Sequence, residues 1–204
     1  MRMAFINGSP KKTYSASASL LQELKPFLQK DGITISDYNF NKPSLSKEEM
    51  VQLKDYDIFV FSFPLYVDGI PSHLLNCLTQ LETFLASIKE KDIKVYSMVN
   101  CGFYEGHQTK LAIEMMENWC SKARLKWGQG LGIGAGGMLP MIKNVPLGQG
   151  PKRNLEKSLR QLANNILNGT SAEDMYISPN IPRIFYKFAA EMGWRKSIKA
   201  NGLK

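Results

Sequence analysis

The chain has 204 residues, 44% of them hydrophobic and 22% charged, which fits one globular domain with a full core and excludes a disordered, collagenous or disulfide-scaffold polypeptide. Its formal net charge is +8, and a net +5 falls from Pro179 onward, a balance that favours anionic partners without naming them. The longest charge-free stretch, Trp127–Ile142, carries six glycines and is shorter than the ~18 apolar residues of a spanning helix.

Arg2–Asn7 is a short apolar run ending in Asn-Gly-Ser-Pro, which predicts a strand running into a turn. It is too short for the apolar region of a secretion signal, so a cytoplasmic setting is expected. The three cysteines agree: Cys77, Cys101 and Cys120 are widely spaced with no C-x-x-C, as free thiols of a reducing compartment, and no metal site is expected. Leu20, Leu21, Leu24 and Leu28 recur at helical spacing, with Pro26 placed to kink or shorten the helix. Gly32 precedes a second strand over Ile33–Tyr38, and Ser46-Lys-Glu-Glu opens a short helix as a capping box. Asp57–Phe63 is nearly all apolar, as a strand covered on both faces should be. Pro64 stops it. Pro71 opens a helix with a stripe of Leu74, Leu75, Leu78, Leu81, Leu85 and Ile88. Ile93–Val99 is the next strand, followed by a helix lined by Leu111, Met115, Trp119 and Ala123. Leu125–Ile133 is a fifth strand weakened by Gly128, Gly130 and Gly132, and Pro151 starts a helix with Leu155, Leu159, Leu162 and Ile166 on one side.

Strands alternating with amphipathic helices imply an α/β fold, a parallel sheet with helices on both faces. Five strands suit a flavodoxin-like three-layer sandwich of order 2-1-3-4-5 over residues 1–168. Residues 169–204 depart from the alternation. After Pro179 and Pro182, Ile181, Ile184, Phe185, Phe188 and Met192 recur at helical spacing with Trp194 just past, so a basic amphipathic helix is expected beyond the core.

In open α/β sheets ligands bind beyond the carboxyl ends of the strands at the switch point, here between strands 1 and 3. The loop after strand 1, Gly8-Ser-Pro-Lys-Lys-Thr-Tyr-Ser-Ala-Ser, is rich in hydroxyls and leads into a helix N-terminus, where amides and the dipole favour an anion. It reads as a phosphate site or as an ordinary N-cap loop. There is no G-x-G-x-x-G or Walker A pattern there, no acid at the end of strand 3 and no cysteine in the first turn, which removes a dinucleotide site, a P-loop, a receiver domain and a cysteine phosphatase. The loop after strand 3, Pro64-Leu-Tyr-Val-Asp-Gly-Ile-Pro71, is stiff and carries Tyr66, either a platform for a flat ring or a turn whose tyrosine packs on the helix. After strand 4, Asn100-Cys-Gly-Phe-Tyr-Glu-Gly106 offers Asn100 and loop amides to ring heteroatoms, and Gly102 and Gly106 permit close backbone approach. Cys101 with His107 nearby raises a nucleophile pair, against a small packing residue. His73 reads as structural. Gly132-Ile-Gly-Ala-Gly-Gly137 matches G-x-G-x-x-G, but prolines follow where that fingerprint needs a helix, so it reads as a loop.

Phe5-Ile-Asn-Gly-Ser-Pro-Lys with its Ser-rich turn, then Pro64-Leu-Tyr, then the glycine-containing loop after strand 4, resembles the flavodoxin-fold NAD(P)H-dependent FMN reductases and quinone reductases. The resemblance covers residues 1–168. It implies that Ser9, Ser15 and Ser17 hold the FMN phosphate, with Lys11 at a basic position. It implies that Pro64, Leu65 and Tyr66 border the isoalloxazine, and that Asn100, Cys101 and Gly102 contact its polar edge. Ala16 stands where some relatives have a polar residue, and the clustered cysteines of the iron–sulfur branch are absent. The implied activity is hydride transfer from NADH or NADPH to FMN and then to a small acceptor (a quinone, nitro or azo compound, or flavin) in a ping-pong cycle. The implied assembly is a homodimer or tetramer, with neither nucleic acid nor membrane as partner. A flavodoxin-type electron carrier is the alternative, although such carriers are usually small and acidic. The tail has three readings: a helix packed on a partner subunit, a solvated basic helix, or an interfacial or nucleic-acid arm.

Overall fold

The computed structural model of the chain describes residues 1–87 and 92–203. Strand β1 (Arg2–Asn7) is followed by α1 (Ala16–Leu28), β2 (Thr34–Asn39), α2 (Lys47–Leu53) and β3 (Ile58–Pro64). Then come α3 (Ser72–Ala86), β4 (Lys94–Asn100), α4 (Lys110–Lys122), β5 (Lys126–Ile133), α5 (Arg153–Asn168), β6 (Met175–Ile177) and α6 (Arg183–Ala200). All neighbouring strands pair in parallel in the order β2-β1-β3-β4-β5-β6.

The flavodoxin-like order is therefore as expected, with one correction: the sheet has six strands, not five. β6 registers Leu131 with Met175 through Ile133 with Ile177. The ladder is extended by side chains. Asp174 accepts the Gly130 amide, and Gln129 donates to the Glu173 carbonyl. Met-Tyr-Ile is too short for a periodicity to show.

The apolar strands alternate between two cores, as parallel strands buried on both faces must. Met3, Phe5, Ile58, Val60, Tyr96 and Met98 face α1 and α5. Ala4, Ile6, Phe59, Phe61, Phe63 and Val95 face α3 and α4. Phe61 meets the rings of Phe40, Phe59 and Trp119 edge-on, and the Trp119 indole donates to the Leu78 carbonyl. Such ring pairs add stability beyond the apolar area they bury.

Two of the helices, α1 and α2, start at side-chain caps. Ser15 accepts the Ala18 amide at the head of α1, and Ser46 with Glu49 forms the expected capping box of α2. α1 runs through Pro26 and ends two residues later, at Leu28. In α3, Leu74, Leu78, Leu81 and Leu85 are buried as expected, but Leu75 is exposed; Ile88 lies outside the described residues. α4 and its cap bury Trp119 and Ala123 as expected, but the first turns are rotated from the expected phase. Ala112, Ile113, Met116, Trp119 and Cys120 face the sheet, and Leu111 and Met115 face solvent. Gly130 explains the shift: a Cβ there would lie 2.5 Å from Ile113, so the glycine admits the helix at that residue. α5 buries Leu155, Leu159, Leu162 and Ile166, as expected. Beside it Lys152, only 4% exposed, is paired to Glu23 of α1 at 2.6 Å.

α6 begins after Pro182, but none of its residues is buried. Ile184, Phe185, Phe188, Met192 and Trp194 are each 57% exposed or more. No helix among the described residues is long and apolar enough to cross a membrane.

Candidate functional site at the carboxyl ends of the strands

Strand order reverses between β1 and β3, so the loops after β1, β3 and β4 emerge side by side. Backbone bonds hold them together past the strand ends. The Gly8 amide donates to the Ser62 carbonyl at 2.8 Å, and the Leu65 amide donates to the Asn100 carbonyl at 2.8 Å. Gly8 is closely packed: a Cβ there would lie 2.5 Å from the Leu74 side-chain end and 3.0 Å from Phe63 Cβ, so Leu74 would have to move to admit one. His73, near the start of α3, places its Nε2 3.2 Å from the Gly8 carbonyl, which is the structural role expected of it.

In the first loop Ser9 is buried, its amide donating to the Asn7 side chain and its hydroxyl accepting the Lys11 amide. Ser15 is the helix cap. The cap takes up the Ala18 amide, so the amides of Ala16 and Ser17 point out of the helix end, where first-turn donors have no intrahelical partner. Lys11 and Lys12 flank this end and are exposed. Ser17 instead faces the interior.

Asn100 is what Ser17 meets. Its Nδ2 donates to the Ser17 hydroxyl at 2.9 Å and to the Phe63 carbonyl at 3.1 Å, tying α1, β3 and β4 together. Gly136 lies against it, since a Cβ there would come 2.7 Å from Asn100 Oδ1. Asn100 is thus engaged inside the protein. Its neighbour Gly102 is exposed, and a Cβ there would meet nothing within 4 Å.

Pro64 is the last residue of β3, registered with Asn100, and is half-buried; the loop after it carries Leu65 half-buried and Tyr66 exposed. Tyr66 and Gly69 exchange both backbone hydrogen bonds, closing a tight turn over Val67 and Asp68. Both central residues have positive φ, +48° for Val67 and +58° for Asp68. A β-branched residue there is strained, at about 1–3 kcal/mol. The turn presents Tyr66 beside the Asn100–Gly102 backbone, which the Leu65–Asn100 bond brings alongside.

Cys101 is buried, and burial pushes its thiol up from the ordinary range. Its Sγ is directed to the Phe103 and Glu105 carbonyls, while the His107 ring packs on Tyr176. Cys101 and His107, six residues apart in sequence, therefore make no nucleophile pair. Gly106 also serves packing, not ligand approach: a Cβ there would sit 2.4 Å from the Gly132 and Ile177 carbonyls. The Gly132–Gly137 string is a loop only in part: Gly132 and Ile133 end β5, and Gly136 opens a single 3-10 turn, with Gly134 between them pressed against the Tyr104 carbonyl.

Two residues at this edge escaped the sequence reading. Tyr104 donates to the Ile181 carbonyl, and Tyr186 of α6 donates to the Gly102 carbonyl; their rings are 5.7 Å apart. Arg183 pairs with Glu105 at 3.1 Å. Burial, with Cys101 nearby, raises the Tyr186 phenol. The tail helix is therefore strapped to the loop after β4. The available signal was the one tyrosine among the apolar residues of α6.

No family model and no curated protein matches the sequence. Solved structures do match. An NAD(P)H:quinone oxidoreductase from Methanothermobacter marburgensis aligns with a TM-score of 0.59 at 15% identity, over 81% of this chain and 96% of that one. An FMN-dependent NADH-azoreductase from Bacillus anthracis, solved in complex with FMN, aligns at 0.57 and 14%, over 81% and 99%. A flavodoxin from Streptococcus pneumoniae aligns at 0.55 and 10%, over 82% and 99%. At these identities the likeness establishes a flavodoxin-like fold.

Proposed function

We propose that the chain is an FMN-dependent oxidoreductase that takes hydride from NADH or NADPH and reduces a small acceptor. The observation that carries this reading is the convergence of three loops at the β1/β3 switch point: outward amides of a helix end with two lysines, a stiff turn bearing Tyr66, and the open backbone at Gly102. The residues present fit a molecule with an anionic tail and a flat ring. The Ala16 and Ser17 amides and Lys11 receive the phosphate, and Ser9 and Ser15 hold the loop in that shape through their own hydrogen bonds. Pro64, Leu65 and Tyr66 bound one side of the ring. The backbone of Cys101 and Gly102 borders its polar edge, with Asn100 setting the spacing of the loops from beneath. FMN, when bound, supplies the two-electron chemistry between nicotinamide and acceptor. The protein orients the ring and supplies backbone dipoles near it, so a catalytic acid or base is not required. A homo-oligomer in the cytoplasm belongs to the same proposal.

The test is the visible spectrum after adding FMN in slight excess and desalting, followed by anaerobic mixing with NADPH or NADH. Retained colour that bleaches on mixing is expected. Retained colour that neither nicotinamide bleaches would favour an electron carrier, the reading to which the flavodoxin likeness lends weight. Loss of colour on desalting would remove the flavin reading.

A further inference from the structure

α6 and the segment after β5 enclose a cleft of about 650 Å3 that the proposed flavin loops do not use. Met138, Met141 and Ile142 form one wall, and Ala189, Ala190 and Gly193 form the other. The spacing of Tyr186, Ala189, Ala190 and Gly193 puts them on one face of the helix. The cleft exists because these residues are small. A Cβ at Gly193, or at Gly137 opposite, would meet nothing within 4 Å. Glycine destabilises a helix interior relative to alanine, and no neighbour requires it here; what it provides is room.

The volume lies in the range of small-molecule sites, and the walls are apolar. The two ends are polar. At one, the Tyr186 hydroxyl donates to the Gly102 carbonyl, so the cleft shares a wall with the loop after β4. At the other, ~15 Å along the helix, stands Lys196, which has no ion-pair partner among the described residues. α6 as a whole carries Arg183, Lys187, Arg195, Lys196 and Lys199 against Glu191 alone, a field that draws anions and repels a second α6.

We propose that this cleft binds an apolar organic anion, its aromatic or acyl body lying along α6 and its anionic group at Lys196. Under the reductase reading, on which this step alone rests, that molecule is the electron acceptor, because Tyr186 lines the cleft and its hydroxyl is bonded to the Gly102 carbonyl of the loop beside the ring.

The experiment is a fluorescence titration of the flavin-free full chain with 1-anilinonaphthalene-8-sulfonate, followed by displacement with dodecanoate. One site per chain is expected. Gly193→Leu and Ala190→Leu fill the cleft from the same face and each weaken binding at least tenfold. Lys196→Glu weakens it at least threefold. Phe188→Ser, on another face of α6, leaves it within twofold. Displacement by dodecanoate assigns an acyl anion, and resistance to it assigns an aromatic one; both support the site. Unchanged dye binding in both filled variants overturns it. So does dye binding lost only in Phe188→Ser, or dye excluded as light scattering shows a dimer forming, which would put a second copy in the cleft. Because no flavin is present, failure here leaves the FMN spectrum intact as a separate result, and the converse holds.

Discussion

Replacing Asn100 with alanine separates a structural tie from a ligand contact. The side chain is 5% exposed and donates to both the Ser17 hydroxyl and the Phe63 carbonyl. Truncation leaves a buried carbonyl without that donor and a buried hydroxyl short of a partner, at about 1–3 kcal/mol for each unsatisfied group. The hydroxyl can turn to another acceptor, so the expected loss is about 2–4 kcal/mol. For a chain of this size that lowers the melting midpoint by roughly 5–12 °C. The assay is urea unfolding of flavin-free protein, read by tryptophan fluorescence, with Asn100→Ala, Ser17→Ala and the double variant. The two single losses should not add, and a coupling of about 1 kcal/mol or more is expected between residues sharing a hydrogen bond. A stability within about 0.5 kcal/mol of the parent chain, together with weaker FMN retention, would refute the tie and make Asn100 a ring contact.

Three other outcomes follow from the geometry. Glu23→Ala strands the buried Lys152 ammonium and should destabilise the chain by about 3–5 kcal/mol in urea, whereas Glu23→Leu with Lys152→Met should restore most of it; equal losses in both would contradict the argument. Burial pushes the Cys77 thiol from 9.0 up to about 11 and raises Cys101 and Cys120 as well. The folded chain therefore favours neutral thiols. Their contribution is present in full below the unfolded value and is lost as pH rises from about 9 through 11, seen as a falling urea midpoint over that window; a disulfide reagent at pH 8 should find these thiols slow in the native chain and fast in the unfolded one. Tyr186→Phe removes the donor to the Gly102 carbonyl and should speed tryptic cleavage at Arg183 or Lys187 severalfold, with the urea midpoint unmoved; an unchanged cleavage rate would mean the strap does not hold α6.

The alternating pattern of the first 168 residues was legible because each element carried its own signal. β3 is a run that only a doubly covered strand tolerates, α5 has a clean stripe, and α2 announces itself with a capping box. The phase of the first turns of α4 was not legible. Leu111 and Met115 are as apolar as the residues that replace them inside, and the choice is made by Gly130 on a distant strand. β6 escaped because three residues cannot show a period, and its partners are backbone groups of β5. At the site, the loops were found by position and composition, but the use of individual side chains was not. Nothing local distinguishes a serine that caps a helix, such as Ser15, from one that faces a buried asparagine, such as Ser17.

β6 also guards the sheet against other chains. It covers the far flank of β5, where Leu131, Gly132 and Ile133 would otherwise present free backbone donors and acceptors, an invitation to strand addition and aggregation. The two acids just before it, Glu173 and Asp174, add charge to that border. A chain cut at Gly169 therefore loses more than α6. It gains a sticky margin, and the resulting particles would imitate a natural oligomer in any sizing experiment. A chain cut after Ser178 keeps the strand and both acids, and in that chain the contribution of α6 can be measured by itself.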